Sequence, residues 1–600
     1  MEYKPPPPQR TIEETNELFA APNSPFAWEV KTIGKRTVRC YRNTPPSLAQ
    51  LWRSSAAAFP DKEYIVYESE RLTYAATNER ILRLASLMYE NGVRKGDRVA
   101  IAMRNLPEWV ITWWACHLLG GIAVAVNAWL PPVAFFHCIS ITEPKIVIVD
   151  EERQALLGPR ASDLRQTGCQ GIFSVRTKQR QDGVTPLEEA LEQHCAQEVP
   201  QLDLLPEDHA TIFFTSGTTS LPKGVLSTQR QFLTNRWNTA TGPARAMLRK
   251  GQSLPAPDPN APQRSVLLTT PLFHVMGNQS FLTLMTSLGG KLVLMYKFDA
   301  ARAADLICSE KLLSAGGVPN LVAQILDEID RQGRWNEVVL EGISYGGGPP
   351  SSKLPSVTKK RIPNAMAGQG YGLTEVNSVA TTIVGDDYIQ RPTSCGQAPP
   401  VVSLKIVDPD SKRPVSEQKA YPAGKIGEVC IFGPNVSEGY WRDEAATKKA
   451  FDDDGWFRSG DLGYLDEEGF LFIADRAKDI IVRSGENIAS VMVEDALSHH
   501  AAVREAAVVP VPCEVHGEQV AAVVLTRPEH AVPSINELQA HVASILPKHC
   551  VPALIVFEKD DMPRNGTGKV LKNELKTSVQ REWERRGLGR GAKGEGRAKL

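Results

Sequence analysis

The sequence predicts an α/β fold, with a large N-terminal domain of parallel α/β subdomains, a small β-barrel-like unit and a small α+β domain at the C-terminal end. Apolar strand-like runs alternate with helical patterns, which is typical of parallel sheets. A chain of 600 residues is too long for one core and predicts two or more domains. The α/β pattern starts again after Asp475-Arg476-Ala477-Lys478, which places a domain boundary there.

The predicted elements follow from short apolar runs and their interruptions. Residues 109–126 are long and apolar, but His117 and the Gly120-Gly121 pair interrupt them, so we expect a buried helix that turns into a strand. Short β-type runs within residues 401–432 predict the barrel-like unit. The runs predicted as strands are residues 98–103, 122–126, 146–149, 210–214, 265–270 and 291–295. The resulting division is a lead-in (1–44), a large domain (45–475), a small C-terminal domain (478–577) and a tail (578–600).

Composition disfavours several classes of function. The formal net charge of -1 gives no bias toward nucleic acid or anionic membrane, so we do not expect a nucleic-acid-binding protein. The interruption of residues 109–126 argues against a transmembrane protein. Ten isolated cysteines without a Cys-x-x-Cys pair predict reduced structural thiols in an intracellular protein. Residues 1–10 contain four consecutive prolines and lack the apolar core of a secretory signal peptide.

A stretch rich in hydroxyls and glycine follows the predicted strand at 210–214. Backbone N–H groups, hydroxyls and one ammonium group in this stretch can surround a polyphosphate. The spacing does not fit Gly-x4-Gly-Lys-Ser/Thr, which excludes an ordinary Walker A loop. A hydroxyl-rich linker is the alternative, but a linker does not require a buried strand before it. The residues that we assign to this phosphate loop are Thr215, Ser216, Gly217, Thr218, Thr219 and Lys223.

Residues 368–375 read Gly-Gln-Gly-Tyr-Gly-Leu-Thr-Glu and combine backbone freedom at Gly370 and Gly372 with three functional side chains. We expect an adenine to stack on Tyr371, Thr374 to meet the α-phosphate and Glu375 to hold Mg²⁺, a cation that prefers oxygen ligands. A tight turn with a solvated glutamate explains this octet equally well when it is considered alone.

Together the two motifs resemble those of the acyl-adenylate-forming, AMP-binding superfamily, which contains acyl-CoA synthetases, peptide-synthetase adenylation domains and firefly luciferase. Within it, the chain resembles the fatty-acid–CoA ligase branch of fungal peroxisomal type. The resemblance spans roughly residues 45–577. It implies ATP, CoA and Mg²⁺ as cofactors, a small-molecule carboxylic acid as substrate, and a mobile C-terminal domain that rotates between two half-reactions.

The resemblance assigns roles to five further residues. Asp461 matches the aspartate that accepts both ribose hydroxyls, and Arg476 matches the arginine that contacts ribose or phosphate. Lys478 matches the hinge, Lys569 the catalytic lysine that bridges carboxylate and α-phosphate, and Gly485 a residue of the pantetheine tunnel. A surface linker lysine at 478 and a solvated loop lysine at 569 are the alternatives.

The segment Pro-Leu-Phe-His that ends at His274 resembles the family segment whose histidine lies against the substrate carboxylate. A histidine satisfied within the core is the alternative. The neighbouring residues that the resemblance places along the acyl pocket or the adenine are Phe273, Gly277, Val318, Gly346 and Gly347.

Three positions depart from the family pattern. Ser220 stands where the phosphate loop usually has glycine, and Ser484 replaces the first glycine of a pair after the hinge. Val482 replaces a lysine that is found in luciferase and many coumarate-type ligases, which argues against a luciferase-like or coumarate-like identity.

We therefore expect an ATP-dependent acid–CoA ligase that acts on a medium- or long-chain fatty acid, because residues 277–284 and 483–488 resemble fatty-acyl ligases of bacteria and fungi. An aryl, branched or polyketide-type acid of secondary metabolism is the alternative. A stand-alone enzyme that loads a carrier protein is less expected, because residues 273–281 and 342–350 contain no aspartate for a substrate ammonium group and no carrier domain follows Leu575. The tripeptide Ala598-Lys599-Leu600 differs at one position from the Ser-Lys-Leu address, so we expect a peroxisomal location and a peroxisomal import receptor as partner.

Overall fold

The computed structural model describes residues 3–195, 198–215, 221–256, 258, 260–411, 413–476, 478–566 and 568–589. The phosphate-loop residues Ser216, Gly217, Thr218 and Thr219, and the tripeptide Ala598-Lys599-Leu600, lie outside the described residues. Within the described part of the chain, no helix has both the length and the apolar composition to cross a membrane.

The strands are numbered in chain order. They are β1 Trp28–Ile33, β2 Arg36–Tyr41, β3 Glu63–Tyr67, β4 Glu70–Thr73, β5 Arg98–Ala102, β6 Ile122–Ala125, β7 Ile146–Asp150, β8 Gly171–Val175, β9 Thr185–Pro186, β10 His209–Phe214, β11 Gly224–Thr228, β12 Ser265–Leu268, β13 Lys291–Leu294, β14 Ser314–Gly317, β15 Gly342–Gly346, β16 Met366–Tyr371, β17 Thr381–Val384, β18 Ser403–Val407, β19 Gly427–Phe432, β20 Gly439–Tyr440, β21 Phe457–Leu465, β22 Leu471–Arg476, β23 Ile481–Arg483, β24 Glu486–Ile488, β25 Val503–Cys513, β26 Gly517–Thr526 and β27 Leu554–Glu558.

The α-helices are numbered in the same way. They are α1 Ile12–Ala20, α2 Leu48–Ala58, α3 Tyr74–Glu90, α4 Pro107–Leu118, α5 Pro132–Ser140, α6 Glu151–Leu157, α7 Ala161–Gln166, α8 Leu187–Gln193, α9 Gln229–Arg249, α10 Leu284–Ser287, α11 Ala300–Ser309, α12 Pro319–Gln332, α13 Leu354–Arg361, α14 Asp386–Gln390, α15 Glu444–Ala450, α16 Ser490–Ser498, α17 Ile535–Ile545 and α18 Lys572–Arg585.

Two eight-stranded sheets form the body of the large domain, with orders β20-β11-β10-β6-β5-β7-β8-β9 and β17-β16-β15-β14-β12-β13-β3-β4. From β10 to β9 the neighbours of the first sheet are parallel, as are those from β16 to β3 in the second. Each of the six runs predicted as strands forms one. The strands in the runs at 98–103, 122–126, 265–270 and 291–295 end one or two residues early, at Ala102, Ala125, Leu268 and Leu294. The predicted α/β class is confirmed.

Helix α4 explains the apolar segment that resembles a membrane span. Every residue from Pro107 to Leu118 is buried or nearly so, because the helix packs inside the main core. Trp109, Trp113 and Trp114 are each fully buried there. The helix is apolar all round because it has no face toward water.

Two smaller sheets follow. The unit predicted as barrel-like is a four-stranded antiparallel sheet of order β18-β19-β21-β22, which ends at Arg476. The C-terminal sheet has the order β24-β23-β26-β25, with β27 beside β26, and begins at Ile481. Helices α16 and α18 pack on this sheet and α17 packs on α16. Lys478, which is predicted as the hinge, therefore lies between the two sheets.

Helix α16 holds the small domain against the large one. The Ser352 hydroxyl donates to the Asp495 carboxylate at 3.1 Å, and the Ser352 backbone N–H donates to it at 3.0 Å. The hydroxyls of Ser351 and Ser498 lie 3.0 Å apart, and the Lys353 ammonium donates to the carbonyl of His499 at 3.1 Å. These contacts define one particular arrangement of the two domains.

Candidate active site

Three residues that are distant in sequence meet at a buried carboxylate. Asp461 on β21 is opposite Arg476 on β22, and the Arg476 Nε lies 3.3 Å from Asp461 Oδ1. The Tyr371 hydroxyl, at the end of β16, donates to Asp461 Oδ2 at 2.7 Å. Burial and the neighbouring Asp461 raise the pKa of Tyr371 well above its ordinary value, so this phenol remains a donor. The arrangement holds an aromatic ring, a carboxylate and a guanidinium group together.

A tight turn after Tyr371 positions the next functional group. A Cβ atom at Gly372 would lie 1.4 Å from the carbonyl oxygen of Ser378, so only glycine fits there. The turn leads into the 3₁₀ segment Thr374–Val376, which places Glu375 in the interior. The Tyr440 hydroxyl donates to Glu375 Oε1 at 2.7 Å. Burial raises the pKa of Glu375, and the hydrogen bond from Tyr440 opposes that rise.

The described ends of the phosphate loop lie beside this glutamate. The Thr215 N–H donates to the carbonyl of Lys223 at 2.9 Å and closes the base of the loop. The Lys223 ammonium lies 5.1 Å from the centre of the Tyr440 ring and 3.8 Å from Asp443 Oδ2. Tyr440 therefore joins the base of the phosphate loop to Glu375.

Lys569 enters the same site from the small domain. Its loop is a narrow turn, in which the Asn565 N–H donates to the carbonyl of Lys569 at 2.9 Å and the Lys569 N–H donates to Asn565 Oδ1 at 3.0 Å. Burial and the positive charge of Arg476 lower the pKa of Lys569 to about 8, while Asp461 opposes this shift. The ammonium group is thus within electrostatic reach of the Asp461–Arg476 pair.

His274 faces Lys569 from the large domain. Burial and the charge of Lys569 lower the pKa of His274 to about 4, so the imidazole is neutral at neutral pH. Its Nδ1 accepts the N–H of Met276 at 3.4 Å. A neutral ring that accepts at Nδ1 carries its proton on Nε2, which leaves Nε2 able to donate to an anionic oxygen.

Among the residues predicted along the acyl pocket, Gly347 and Val318 come together, and Gly346 lies beside Met276. A Cβ atom at Gly346 would lie 3.3 Å from the end of the Met276 side chain, and one at Gly347 would lie 3.3 Å from Val318. Phe273 and Gly277 are buried on either side of His274. Gly277 lies in a π-helical segment, Met276–Thr283, a geometry that is frequent at functional sites.

Two predicted residues, Lys478 and Gly485, are exposed. Lys478 is exposed in a turn where the Asp479 N–H donates to the carbonyl of Arg476 at 2.9 Å. Gly485 is exposed at the tip of the β23–β24 hairpin. The unusual Ser484 adopts φ 52° there, and its hydroxyl lies 2.7 Å from Nδ1 of His516.

Tyr440 and Trp129 were missed by sequence reasoning. Tyr440 contacts both Glu375 and Lys223, and Trp129 contacts the loop of Lys569. Tyr440 follows the phosphate loop by more than 200 positions, and it meets that loop only because the short strand β20 pairs with β11. No local pattern in the sequence marks that pairing.

Comparisons with known proteins agree with this geometry. The AMP-binding enzyme family pattern matches residues 52–441, and the pattern of the AMP-binding enzyme C-terminal domain matches residues 492–569. The chain belongs to the AMP-binding enzyme family. This assignment confirms the superfamily that the motifs at 215–224 and 368–375 indicate.

Curated relatives of the chain are acid–CoA ligases. A 4-coumarate–CoA ligase of Humulus lupulus is 28% identical over 526 residues, which cover 86% of this chain and 90% of that protein. A long-chain-fatty-acid–CoA ligase of Bacillus subtilis (strain 168) is 29% identical over 561 residues, which cover 88% and 94%. The prediction of an AMP-forming acid–CoA ligase is confirmed at the level of the family. Because both classes of relative match equally well, the argument from Val482 does not separate them.

One structural relative has been solved with ATP and a magnesium ion bound. The o-succinylbenzoate CoA synthetase of Bacillus subtilis in complex with ATP and magnesium ion superimposes with a TM-score of 0.70 at 27% identity, covering 89% of this chain and 100% of that one. ATP, CoA and Mg²⁺ are the cofactors of AMP-forming CoA ligases, as the resemblance to the superfamily implies.

The residues present fit a magnesium ion at Glu375. This carboxylate is buried, burial raises its pKa, and its Oε1 accepts the hydrogen bond from Tyr440. The described residues contain no group of three or more His, Cys, Asp or Glu that could hold a metal by themselves. Mg²⁺ is commonly held by one or two carboxylates together with substrate phosphates and water, so Glu375 beside the phosphate loop is sufficient.

We expect Glu375→Gln to raise the magnesium concentration needed for half-maximal adenylation by about ten-fold or more, because a neutral amide is a poorer ligand for a hard cation. Acid-dependent pyrophosphate exchange, titrated with MgCl₂, measures this requirement. Tyr440→Phe is the matched control, since it keeps the carboxylate and removes only the hydrogen bond at 2.7 Å. An unchanged titration for Glu375→Gln would remove Glu375 from the metal site.

The pKa of Lys569 predicts a pH profile. The charged form of a lysine whose pKa is lowered to about 8 is present below that pH and is lost above it. The charged groups that face it are Arg476, Asp461, Lys572 and Asp479. We therefore expect kcat/KM for adenylation to fall about ten-fold per unit above the pKa of the free enzyme.

Lys569→Arg provides the control for this profile, because arginine does not titrate in that range. The alkaline limb should disappear or move beyond the measurable range in this variant, whatever its absolute rate. If both proteins show the same limb, another group is responsible for it.

Proposed function

We propose that this enzyme activates a medium- or long-chain fatty acid in two half-reactions. First, a carboxylate oxygen of the acid attacks the α-phosphorus of ATP, the bond to pyrophosphate breaks, and acyl-AMP forms. Second, the thiol of CoA loses its proton and attacks the acyl carbonyl, and AMP leaves with the bonding electron pair. The curated relatives are CoA ligases, which supports CoA rather than a carrier protein as the acceptor.

In the first half-reaction two anions approach one another, and the site residues counter that repulsion. Lys569 supplies a desolvated positive charge beside Asp461 and Arg476, and it stabilises the charge that develops on the α-phosphate and the attacking carboxylate. His274 is neutral and donates a hydrogen bond from Nε2 to the substrate carboxylate. Because the ring carries no positive charge, it orients the carboxylate without forming an ion pair with it. When bound at Glu375, Mg²⁺ supplies charge neutralisation for the phosphates.

Tyr371 and Asp461 hold the nucleoside. The hydroxyl of Tyr371 fixes one oxygen of the Asp461 carboxylate at 2.7 Å, so the carboxylate is oriented before ATP arrives. A carboxylate in that position accepts from the two hydroxyls of a ribose, and the ring of Tyr371 offers a plane to the base.

The apolar side chains along the predicted acyl pocket support a fatty acid as the substrate. Met276 reaches Gly346, the Phe281 ring packs against Gly316, and Val379 lies 3.9 Å from the position of a Cβ at Gly370. Met276 is unbranched, and its side chain adapts to a flexible alkyl chain more readily than a branched one. The hydroxyls of Ser280 and Ser378 lie 3.0 Å apart and satisfy each other, so they do not require a polar substrate.

The same two hydroxyls favour a second candidate, an aryl, branched or polyketide-type acid. Ser280 Oγ is also 3.5 Å from Thr239 Oγ1, which forms a short row of hydroxyls on this side. A phenol or ketone on the acid can insert into that row and replace the bond between Ser280 and Ser378.

A panel of acids decides between the candidates. CoA-dependent release of AMP should be fastest with saturated acids of medium or long chain, and slower with 4-coumarate, benzoate and a β-keto acid of equal length. A matched variant, Ser280→Ala, should leave the preferred rate nearly unchanged if the substrate is alkyl. A clear preference for a hydroxylated aryl acid, lost in Ser280→Ala, would replace the fatty acid with the second candidate.

We also propose that Ala598-Lys599-Leu600 is a peroxisomal address read by the import receptor, where the acyl-CoA product meets enzymes that consume thioesters. In a eukaryotic cell, a fluorescent protein fused to the N-terminus should mark peroxisomes, and deletion of the tripeptide should make the signal cytosolic. A diffuse signal from the full chain would refute the address and leave the ligase activity untouched.

A further inference from the structure

Trp129 forms a rigid platform on the large domain, just after strand β6. The guanidinium of Arg104 lies 4.1 Å from the centre of the Trp129 ring and 4.6 Å from that of Tyr296, so it is stacked against both rings. The Trp129 N–H donates to Asn127 Oδ1 at 2.9 Å, and the Arg153 Nε donates to the preceding carbonyl, that of Ala128, at 2.8 Å. Backbone and side chain are therefore both fixed, although 38% of the residue surface is exposed.

The turn that carries Lys569 rests on this platform. A Cβ atom at Gly566 would lie 2.7 Å from Cδ1 of Trp129 and 3.1 Å from Asn127 Oδ1, so the backbone of Gly566 packs directly against the indole. At the other end of the turn, a Cβ at Gly568 would lie 3.1 Å from Val318. The turn thus lies in a crevice between residues 127–129 and the start of α12.

This contact bears on the position of the ammonium group. Lysine has four flexible side-chain bonds, so the location of its Nζ depends on how firmly its backbone is held. The turn itself belongs to the small domain, whereas His274, Asp461 and the Tyr371 ring belong to the large one. The contacts of α16 hold the two domains together at a distance from the turn. A contact between the domains at the turn itself fixes Lys569 relative to those groups more directly.

We propose that Trp129 is a positioning residue for adenylation: its indole edge seats Gly566 and thereby sets the depth at which Lys569 enters the site. Trp129 acts through the turn, which it contacts at Gly566. The inference rests on the proposed role of Lys569 in the first half-reaction.

Trp129→Ala should lower kcat for acid-dependent pyrophosphate exchange by about 10- to 100-fold, the scale of loss that a displacement of about 1 Å causes. The KM for ATP should change little, because Asp461 and Tyr371 are untouched. Formation of the thioester from supplied acyl-AMP should be retained, and this retention also shows that the variant is folded. Trp129→Phe keeps an aromatic edge and should recover most of the exchange activity.

Gly566→Ala tests the other side of the contact. Its new methyl group collides with the indole and should cause the same selective loss of exchange. In the double variant Trp129→Ala/Gly566→Ala the indole is gone and the contact of 3.1 Å with Asn127 Oδ1 remains, so the methyl group should cost little further. Val133→Ala is the matched control, since Val133 is 76% exposed at the start of α5, four positions along the chain.

Two outcomes would overturn the proposal. One is an equal loss of both half-reactions in Trp129→Ala, and the other is a double variant whose losses multiply as for independent sites. If Lys569→Ala itself spares pyrophosphate exchange, the proposed role of the lysine fails. If Lys569→Ala abolishes exchange but Trp129→Ala leaves it unchanged, only the platform fails.

Discussion

Lys569→Ala is expected to lower acyl-AMP formation by about 10²- to 10³-fold, the loss typical of removing one preorganised charge or donor at a developing anion. The reason is the placement of its ammonium group. Burial and Arg476 lower its pKa to about 8, and its charge reaches both Asp461 and His274. A charge that is held out of water acts more strongly on a transition state than a solvated one. Acid-dependent pyrophosphate exchange measures the loss.

The second half-reaction provides the internal control for Lys569→Ala. Thioester formation from supplied acyl-AMP and CoA should persist, because the bond between the carboxylate and the α-phosphate already exists in acyl-AMP. Lys559→Ala removes an exposed lysine from the same domain and should leave both half-reactions unchanged. An equal decline of both half-reactions in Lys569→Ala would show that the lysine supports the whole site rather than adenylation.

The large domain could be predicted because its signals are local. Strands β5, β6, β7 and β10 are short apolar runs buried on both faces, and each alternates with a helix. The apolar run at 109–119 was predicted as a buried helix because His117 and two glycines interrupt the longer segment, and the structure has this helix at Pro107–Leu118. Strand ends were less exact: the run at 265–270 stops at Leu268, after which the Thr269 hydroxyl bonds to the carbonyl of Gly316 and the chain turns.

The candidate site was predictable where one motif supplies several groups. Tyr371 and Glu375 lie in one octet, and the structure places both of them with Asp461 and Tyr440. The sequence could not indicate contacts between residues that are far apart in the chain and meet only through strand pairing or domain docking. Tyr440 reaches Glu375 through the pairing of β20 with β11, and Trp129 reaches the Lys569 turn through the docking of two domains.

We expect that a disulfide between the two domains can hold them reversibly in the arrangement that the structure shows. In Ser351→Cys/Ser498→Cys the new thiols replace two hydroxyls whose oxygens lie 3.0 Å apart across the domain interface, a separation from which small side-chain shifts reach the ~2.05 Å of a disulfide. Oxidation should hold the small domain where Lys569 is in the site. A covalent bond across the interface prevents the two domains from separating there for as long as it is intact, so overall thioester turnover should fall in proportion to the fraction of enzyme that is oxidised.

Pyrophosphate exchange in the oxidised double variant should remain near the wild-type rate, because the first half-reaction uses the arrangement that the disulfide preserves. Dithiothreitol should restore turnover, which separates locking from damage, and each single cysteine variant should be insensitive to oxidant. The native Cys195 is exposed and could form unwanted disulfides, so it should be changed to serine in the double variant, in both single variants and in the reference enzyme. If the oxidised enzyme still makes thioester at full rate, the small domain does not have to leave the contact between α16 and Ser351 for CoA to react. The expectation of a rotating domain would then be wrong. Loss of thioester turnover with pyrophosphate exchange intact would instead show that the two half-reactions use two different arrangements of the same chain.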